Sequence, residues 1–206
     1  MKRSMCITYE VGDGLYINIT NRCSNSCSFC IRNNGDGAYG SDSLWLEREP
    51  TEAEILDSVF SRELAKYSEI VFCGYGEPSY RLECAAAVAN KIKERFPGIK
   101  IRINTNGQSD LILGKNTAPL YEGAFDSVSI SLNTSTAKKY DEMCHPVYKL
   151  KAFDAILSFA KNVKKYVQNV AFSVVRETLT EDELAECIKI SEKLGIPLKV
   201  RAYIGN

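Results

Sequence analysis

Short apolar runs typical of β-strands alternate with longer helix-like segments along nearly the whole 206-residue chain. The runs that predict strands are residues 15–20, 69–73, 99–104, 127–132, 170–175 and 198–203. The predicted helical segments are residues 51–66, 82–96, an interrupted stretch within 107–123, 136–143 with 150–167, and 180–195. Because βα units with right-handed crossovers build parallel sheets, the order predicts an α/β fold. Six strands predict a partial (β/α)6 TIM-like barrel, since the closed eight-stranded form typically needs about 250 residues.

The ends of several segments carry local signals. Residues 7–20 predict a short N-terminal hairpin that extends the barrel and runs directly into a cysteine-rich loop. Thr51 and Thr180 each begin a capping box, whose hydroxyl and later carboxylate satisfy free backbone amides at a helix start. With 45% hydrophobic and 25% charged residues in mixed order, we expect one globular domain over residues 1–206.

Charge and hydropathy argue against several classes of partner. The chain has 26 basic and 26 acidic residues, so it offers no overall electrostatic field for nucleic acid or anionic membranes. Residues 1–8 include basic side chains without an apolar stretch behind them, and no run of about eighteen apolar residues occurs. We therefore expect a cytoplasmic protein that has no membrane contact.

Three cysteines, Cys23, Cys27 and Cys30, follow the first predicted parallel strand with the spacing C-x₃-C-x₂-C. Structural zinc would need more ligands than one histidine and this single C-x₂-C pair offer. Disulfides among cysteines within eight residues would close only tiny loops. Three thiolates would leave one iron of a [4Fe–4S] cluster free to bind another ligand. The five dispersed cysteines have no cluster-ligand spacing; they are Cys6, Cys73, Cys84, Cys144 and Cys187.

The position of these cysteines agrees with the predicted fold. Parallel barrels carry their chemistry on loops after the carboxyl ends of strands, and the cysteines lie after the first such strand. Residues 33–43 are rich in glycine and polar side chains and predict a flexible loop beside them. Gly74-Tyr75-Gly76-Glu77-Pro78 follows the second strand.

Together the cysteine spacing and the glycine-rich segment resemble the radical SAM superfamily over essentially the whole chain. The resemblance implies that Cys23, Cys27 and Cys30 hold a [4Fe–4S] cluster whose open iron binds S-adenosylmethionine. It also implies reductive cleavage to methionine and a 5′-deoxyadenosyl radical, which abstracts hydrogen from a substrate. The small size and N-terminal hairpin are similar to the TatD-associated group of radical SAM proteins.

The same resemblance implies a first set of cofactor contacts near the cysteines. Phe29 would cover the cluster loop and approach the adenine. Gly74, Gly76 and Glu77 match the family's GGE motif, with backbone carbonyls facing the methionyl ammonium and the glutamate fixing the turn. Tyr75 departs from that motif and would be tolerated if only its backbone faces the ligand.

A second set lies at the ends of later strands. Thr105 and Asn106 resemble the family's TNG turn, which an ordinary turn would also explain. Ser131 and Asn133 resemble the ribose-contacting position. Arg176 could bind the methionyl carboxylate, or could instead form a surface ion pair with Glu177 or Glu181.

Three functions remain open from the sequence. We favour a radical SAM enzyme that acts on a small substrate, for which a nucleotide-like molecule is one candidate. We also expect an electron donor such as flavodoxin or ferredoxin and a functional link to a TatD-type hydrolase. The first alternative is an activating enzyme that installs a glycyl radical on a partner protein. The second is a noncatalytic metal or redox-sensing module. The roles of Cys73, Cys144 and His145 also stay open.

Overall fold

Each strand of the sheet pairs with the strand that precedes it in the chain. The computed structural model describes residues 2–203. Its strands are β1 (Thr8–Val11), β2 (Gly14–Ile17), β3 (Glu69–Phe72), β4 (Ile101–Thr105), β5 (Ser127–Ser131), β6 (Asn169–Val175) and β7 (Leu198–Arg201). The β1–β2 pair is the antiparallel hairpin, and β2 to β7 are all parallel. The predicted α/β fold, a mostly parallel partial barrel with a hairpin extension, is confirmed.

Helices connect the parallel strands. They are α1 (Glu52–Phe60), α2 (Leu82–Arg95), α3 (Ser109–Leu113), α4 (Ala137–Cys144), α5 (Lys151–Val163) and α6 (Glu181–Leu194). Both predicted capping boxes form, at Thr51 and Thr180. The first helix is shorter than expected, because it stops at Phe60 and only a 3-10 turn over Leu64–Lys66 follows. No helix within residues 2–203 has the length and apolar character that a membrane crossing requires.

The two faces of the sheet differ sharply in chemistry. One face carries apolar side chains such as Ile70, Ile103 and Phe172, which join the helices in a fully buried core. Alternation along each strand sends Tyr16, Arg102 and the β5 serines to the opposite side, which we call the inner face. Closed barrels fill their interior with branched apolar side chains. Here β1 and β7 do not pair across the described residues, and the inner face stays polar.

Candidate functional site

A cavity of about 490 Å³ lies at the carboxyl ends of the parallel strands. It gathers the cysteine loop and the segments after β3, β4 and β5. Nearly all residues expected from the sequence line it: Cys23, Cys27, Phe29, Cys30, Gly74, Tyr75, Gly76, Glu77, Thr105, Asn106, Ser131 and Asn133. Motifs separated by more than a hundred residues therefore share one space, as expected for strand ends at one edge of a sheet.

Arg176 is the exception and corrects the sequence-based expectation. It donates to the Leu179 carbonyl oxygen at 2.9 Å and forms an ion pair with Glu181, which was the alternative considered for it. Val175, the last residue of β6, lines the cavity. Arg176 begins the 3-10 turn Arg176–Thr178 that follows the strand, and its side chain does not line the cavity. The structure does not bring Arg176 to the other predicted contacts.

The cysteine loop is supported from one side by the segments after β3 and β4. The backbone amide of Glu77 donates to the Arg22 carbonyl oxygen at 2.7 Å. The Asn106 side chain donates to the Ser24 hydroxyl at 2.8 Å, and Gln108 donates to the Asn25 amide oxygen at 2.8 Å. These bonds connect the loop to two neighbouring strand ends.

The end of α4 supports the loop from the other side. The backbone amides of Ser26 and Ser28 donate to the carbonyl oxygens of Cys144 and Met143 at 2.9 and 3.1 Å. The Asn25 side chain donates to the Tyr140 hydroxyl at 2.8 Å. Tyr140 and Gln108 are buried site residues that sequence reasoning missed. Neither lies in a recognisable motif, so the sequence carried no signal for them.

The three cysteine side chains are shielded thiols with raised pKa values. Burial raises the pKa of Cys23 to about 12. A hydrogen bond with Cys144, together with burial, raises the pKa of Cys27 well above its usual value. Burial also raises the pKa of Cys30, against the opposing effect of Arg32. Iron binding must therefore displace protons from all three.

The donor set suits an iron–sulfur cluster better than a single ion. Within residues 2–203, no group of three or more histidine, cysteine or acidic side chains converges on one point as a single metal ion requires. A cubane attaches each thiolate to a different iron, so its ligands need not converge in that way. Cys23, Cys27 and Cys30 on the wall of one cavity meet this requirement and leave one iron without a ligand from the cysteine loop. Cys73, the fourth cysteine of that wall, lies after β3 and outside the loop.

Glu77 joins the segments after β3 and β4. Its side chain is 4% exposed. One carboxylate oxygen accepts from the Ser79 amide, the Ser79 hydroxyl and the Thr105 hydroxyl at 3.0, 2.6 and 2.7 Å, and the other accepts from the Asn106 amide at 2.6 Å. Burial raises the pKa of Glu77, while these hydrogen bonds oppose that rise. The carboxylate thus fixes the turn through four donors.

Tyr75, the departure from the GGE pattern, connects the site to the long loop at residues 33–43. Its hydroxyl donates to the carbonyl oxygens of Gly35 and Gly37 at 3.0 and 2.9 Å. Its ring contacts Trp45 edge to face, with centroids 5.3 Å apart. The loop lies beside the cavity as expected, and Tyr75 anchors it there.

Cys73, Cys144 and His145, whose roles the sequence does not decide, lie in three different positions. Cys73 lines the cavity, and Cys144 is fully buried beside Cys27. His145 is exposed and ends α4 in the left-handed conformation, with φ of 44°. The imidazole therefore does not line the cavity.

Replacing Gly76 by alanine is expected to disrupt the cysteine loop. A Cβ atom there would lie 2.2 Å from the Thr20 carbonyl oxygen and 2.7 Å from that of Arg22, and neither backbone atom can yield without moving the loop. We expect a loss of about 2 kcal/mol in unfolding free energy and reduced iron uptake. Gly98→Ala is the matched control, since nothing lies within 4 Å of its Cβ position. Equal iron content and equal denaturant midpoints in the two variants would contradict the packing argument.

The sequence model of the Radical SAM superfamily matches residues 17–190. The chain belongs to this superfamily. Its members are enzymes that use a [4Fe–4S] cluster and S-adenosylmethionine, so this protein is a radical SAM enzyme with those cofactors. Such enzymes also need a reductant and a substrate.

Curated relatives include proteins named GTP 3′,8-cyclase. A probable GTP 3′,8-cyclase of Methanosarcina acetivorans is 32% identical over 133 residues, covering 63% of this chain and 36% of that protein. The GTP 3′,8-cyclase of Clostridium perfringens is 26% identical over 189 residues, covering 91% of this chain and 54% of that protein. The radical SAM chain described here thus spans about half or less of these relatives.

Solved structures of other proteins share the fold. SuiB of Streptococcus suis, bound to its precursor peptide SuiA, superposes with a TM-score of 0.66 at 18% identity, covering 93% of this chain and 39% of SuiB. The protein anSMEcpe with bound AdoMet gives a TM-score of 0.62 at 19% identity, covering 92% of this chain and 50% of that one. At such identities the likeness shows the fold alone.

Proposed function

We propose that this radical SAM protein cleaves S-adenosylmethionine reductively and uses the resulting radical to abstract hydrogen from a small, nucleotide-like substrate. The observation that carries the proposal is the cavity shared by the thiols of Cys23, Cys27 and Cys30 and the polar segments that follow β3, β4 and β5. The names of the curated relatives, which refer to GTP, support a nucleotide-like substrate.

Each group of residues has a role in this proposal. Cys23, Cys27 and Cys30 would hold the cluster, and the segment at residues 74–77 would bind the methionyl part of the cofactor. Thr105, Asn106, Ser131 and Asn133 would contact the remainder, and Phe29 would shield the cluster from water. When bound, the reduced cluster and S-adenosylmethionine supply a 5′-deoxyadenosyl radical. The protein contributes orientation of the reactants and exclusion of water and oxygen.

Several finer expectations belong to the same proposal. The electron donor would be a small redox protein such as flavodoxin or ferredoxin, acting in the cytoplasm. Membership of the TatD-associated group, and with it a functional link to a TatD-type hydrolase, stays a prediction. So does the assignment of residues 1–206 to one domain.

Cofactor cleavage tests the proposal directly. The protein would be reconstituted anaerobically with iron and sulfide, reduced with dithionite and mixed with S-adenosylmethionine. We expect 5′-deoxyadenosine and methionine in equal amounts, measured by chromatography and absent from variants lacking any one of the three cysteines. A fully loaded and reduced protein that forms neither product would overturn the proposal and favour the noncatalytic module.

The unclosed sheet favours one alternative, the activating enzyme for a glycyl radical. With β1 and β7 unpaired across the described residues, a segment of a partner protein could reach the inner face. That function predicts a persistent stoichiometric complex with a large enzyme and a glycyl radical detectable by electron paramagnetic resonance. A small-molecule enzyme predicts neither.

A further inference from the structure

The cavity has a second end, formed by strands and by the long loop rather than by the cysteines. We call it the tyrosine end and define it by five lining residues: Tyr9, Tyr16, Tyr39, Arg102 and Arg201. Tyr16 and Arg102 belong to the inner face, and their side chains meet where Arg102 donates to the Tyr16 hydroxyl at 3.4 Å. The predicted cofactor contacts do not use any of these five.

The charge of Arg102 is already balanced. Its guanidinium donates to both carboxylate oxygens of Glu69, at 3.0 and 2.5 Å, and to the Asn104 amide oxygen at 2.7 Å. The Arg102 and Glu69 side chains are only 19% and 31% exposed. This bidentate pair fixes one wall of the tyrosine end without leaving a net charge there.

Arg201 carries a charge without an acidic partner in the described structure. It is the last residue of β7, lies in register with Val175 and lines the cavity. Across residues 2–203, no carboxylate forms an ion pair with it. Glu77 is the acidic side chain that lines the cavity, and its oxygens already accept four hydrogen bonds. The tyrosine end therefore has an unbalanced positive charge.

Aromatic rings supply the remaining surface. The Tyr9 and Tyr16 rings lie with centroids 5.4 Å apart. Tyr39 is 49% exposed and has a φ of 55°, which is rare for a bulky side chain. Such a conformation persists only where surrounding contacts impose it, and the Tyr75 hydroxyl anchors the loop on the N-terminal side of Tyr39. The loop thus presents a ring at the cavity wall that a planar ligand could contact.

We propose that the tyrosine end is the substrate subsite, where Arg201 binds a phosphate group of a nucleotide whose base contacts the tyrosine rings. Guanidinium matches phosphate geometry with two parallel hydrogen bonds, and aromatic side chains stack on any base. The inference rests on the proposed function, whose nucleotide-like substrate it makes specific. It assigns Arg201 as the residue that selects a nucleotide over the corresponding nucleoside.

The test compares guanosine monophosphate with guanosine, which differ only in the phosphate. Each would be titrated calorimetrically and anaerobically into reconstituted protein that holds S-adenosylmethionine but is not reduced. We expect the monophosphate to bind about tenfold more tightly, and the difference to shrink with added salt. Arg201→Gln should remove the difference while leaving guanosine affinity unchanged, and Arg201→Lys should restore part of it.

Lys199→Gln is the matched control, because it removes a positive charge from the same strand at a position that does not line the cavity. Its preference for the monophosphate should remain. The inference would be overturned if the two ligands bound with equal affinity or if neither bound. It would also be overturned if Arg201→Gln and Lys199→Gln lost the preference for the monophosphate to the same extent. Cysteine-dependent 5′-deoxyadenosine formation alongside any of these results would leave the proposed function intact. The reverse result, phosphate selection without cofactor cleavage, would reject that function alone.

Discussion

Cys27→Ala is expected to abolish both the iron–sulfur absorbance and all cleavage of S-adenosylmethionine. Two other cysteines lie near the site, and we expect neither to replace the lost ligand. Cys144 is fully buried at the end of α4, and the backbone amide of Cys73 donates to the Ile17 carbonyl oxygen of β2, outside the cysteine loop. The fold should survive, since the neighbouring amides of Ser26 and Ser28 keep their bonds to α4. Visible absorbance with iron content, chromatography of 5′-deoxyadenosine and circular dichroism would measure the three effects in turn.

Cys84→Ala provides the matched control for this loss. Cys84 is a half-buried cysteine of α2 that does not line the cavity, so its removal should leave iron content and cleavage unchanged. Retention of cluster absorbance and activity in Cys27→Ala would refute the ligand assignment. Loss of circular dichroism would instead show that the thiol is needed for folding.

Glu77→Ala is expected to produce the second large effect, on stability. The substitution leaves four donors unpaired in a buried position: the Ser79 amide and hydroxyl, the Thr105 hydroxyl and the Asn106 amide. Because each unsatisfied buried group costs about 1–3 kcal/mol before relaxation, we expect unfolding free energy to fall by about 4 kcal/mol. For a chain of this length that corresponds to a melting temperature lower by roughly 10 °C.

The same substitution should also impair cluster assembly, because Asn106 bonds to Ser24 of the cysteine loop. Glu83→Ala is the control, since it removes a glutamate whose pairing with Lys115 is exposed and should change stability by less than about 0.5 kcal/mol. Similar melting temperatures for the two variants would show that the four donors find other partners when Glu77 is absent.

The fold was predictable because its signals are local. Apolar runs marked the six parallel strands, and Thr51 and Thr180 marked the starts of α1 and α6. The cysteine and glycine-rich segments were likewise visible as short motifs, and the rule for parallel strand ends correctly brought them together.

The supporting contacts of the site were not predictable, because they join distant parts of the chain. Asn25 contacts Gln108 and Tyr140, which lie 83 and 115 residues further along. No local pattern distinguishes Gln108, which precedes α3, or Tyr140, which lies within α4, from ordinary turn and helix residues. Arg176 lies away from the cavity for a related reason: β6 ends at Val175, and the 3-10 turn that begins at Arg176 pairs its side chain with Glu181.

Strand order that follows chain order has a consequence for biosynthesis. Each βα unit of a growing polypeptide can dock on the one made before it, so the sheet can form progressively while the ribosome is still translating. The supports of the cysteine loop arrive much later than the loop itself, with residues 106, 108, 140 and 144. A nascent chain therefore exposes its three thiols long before it can hold them in place, and we expect iron–sulfur insertion only after residue 144 has been made.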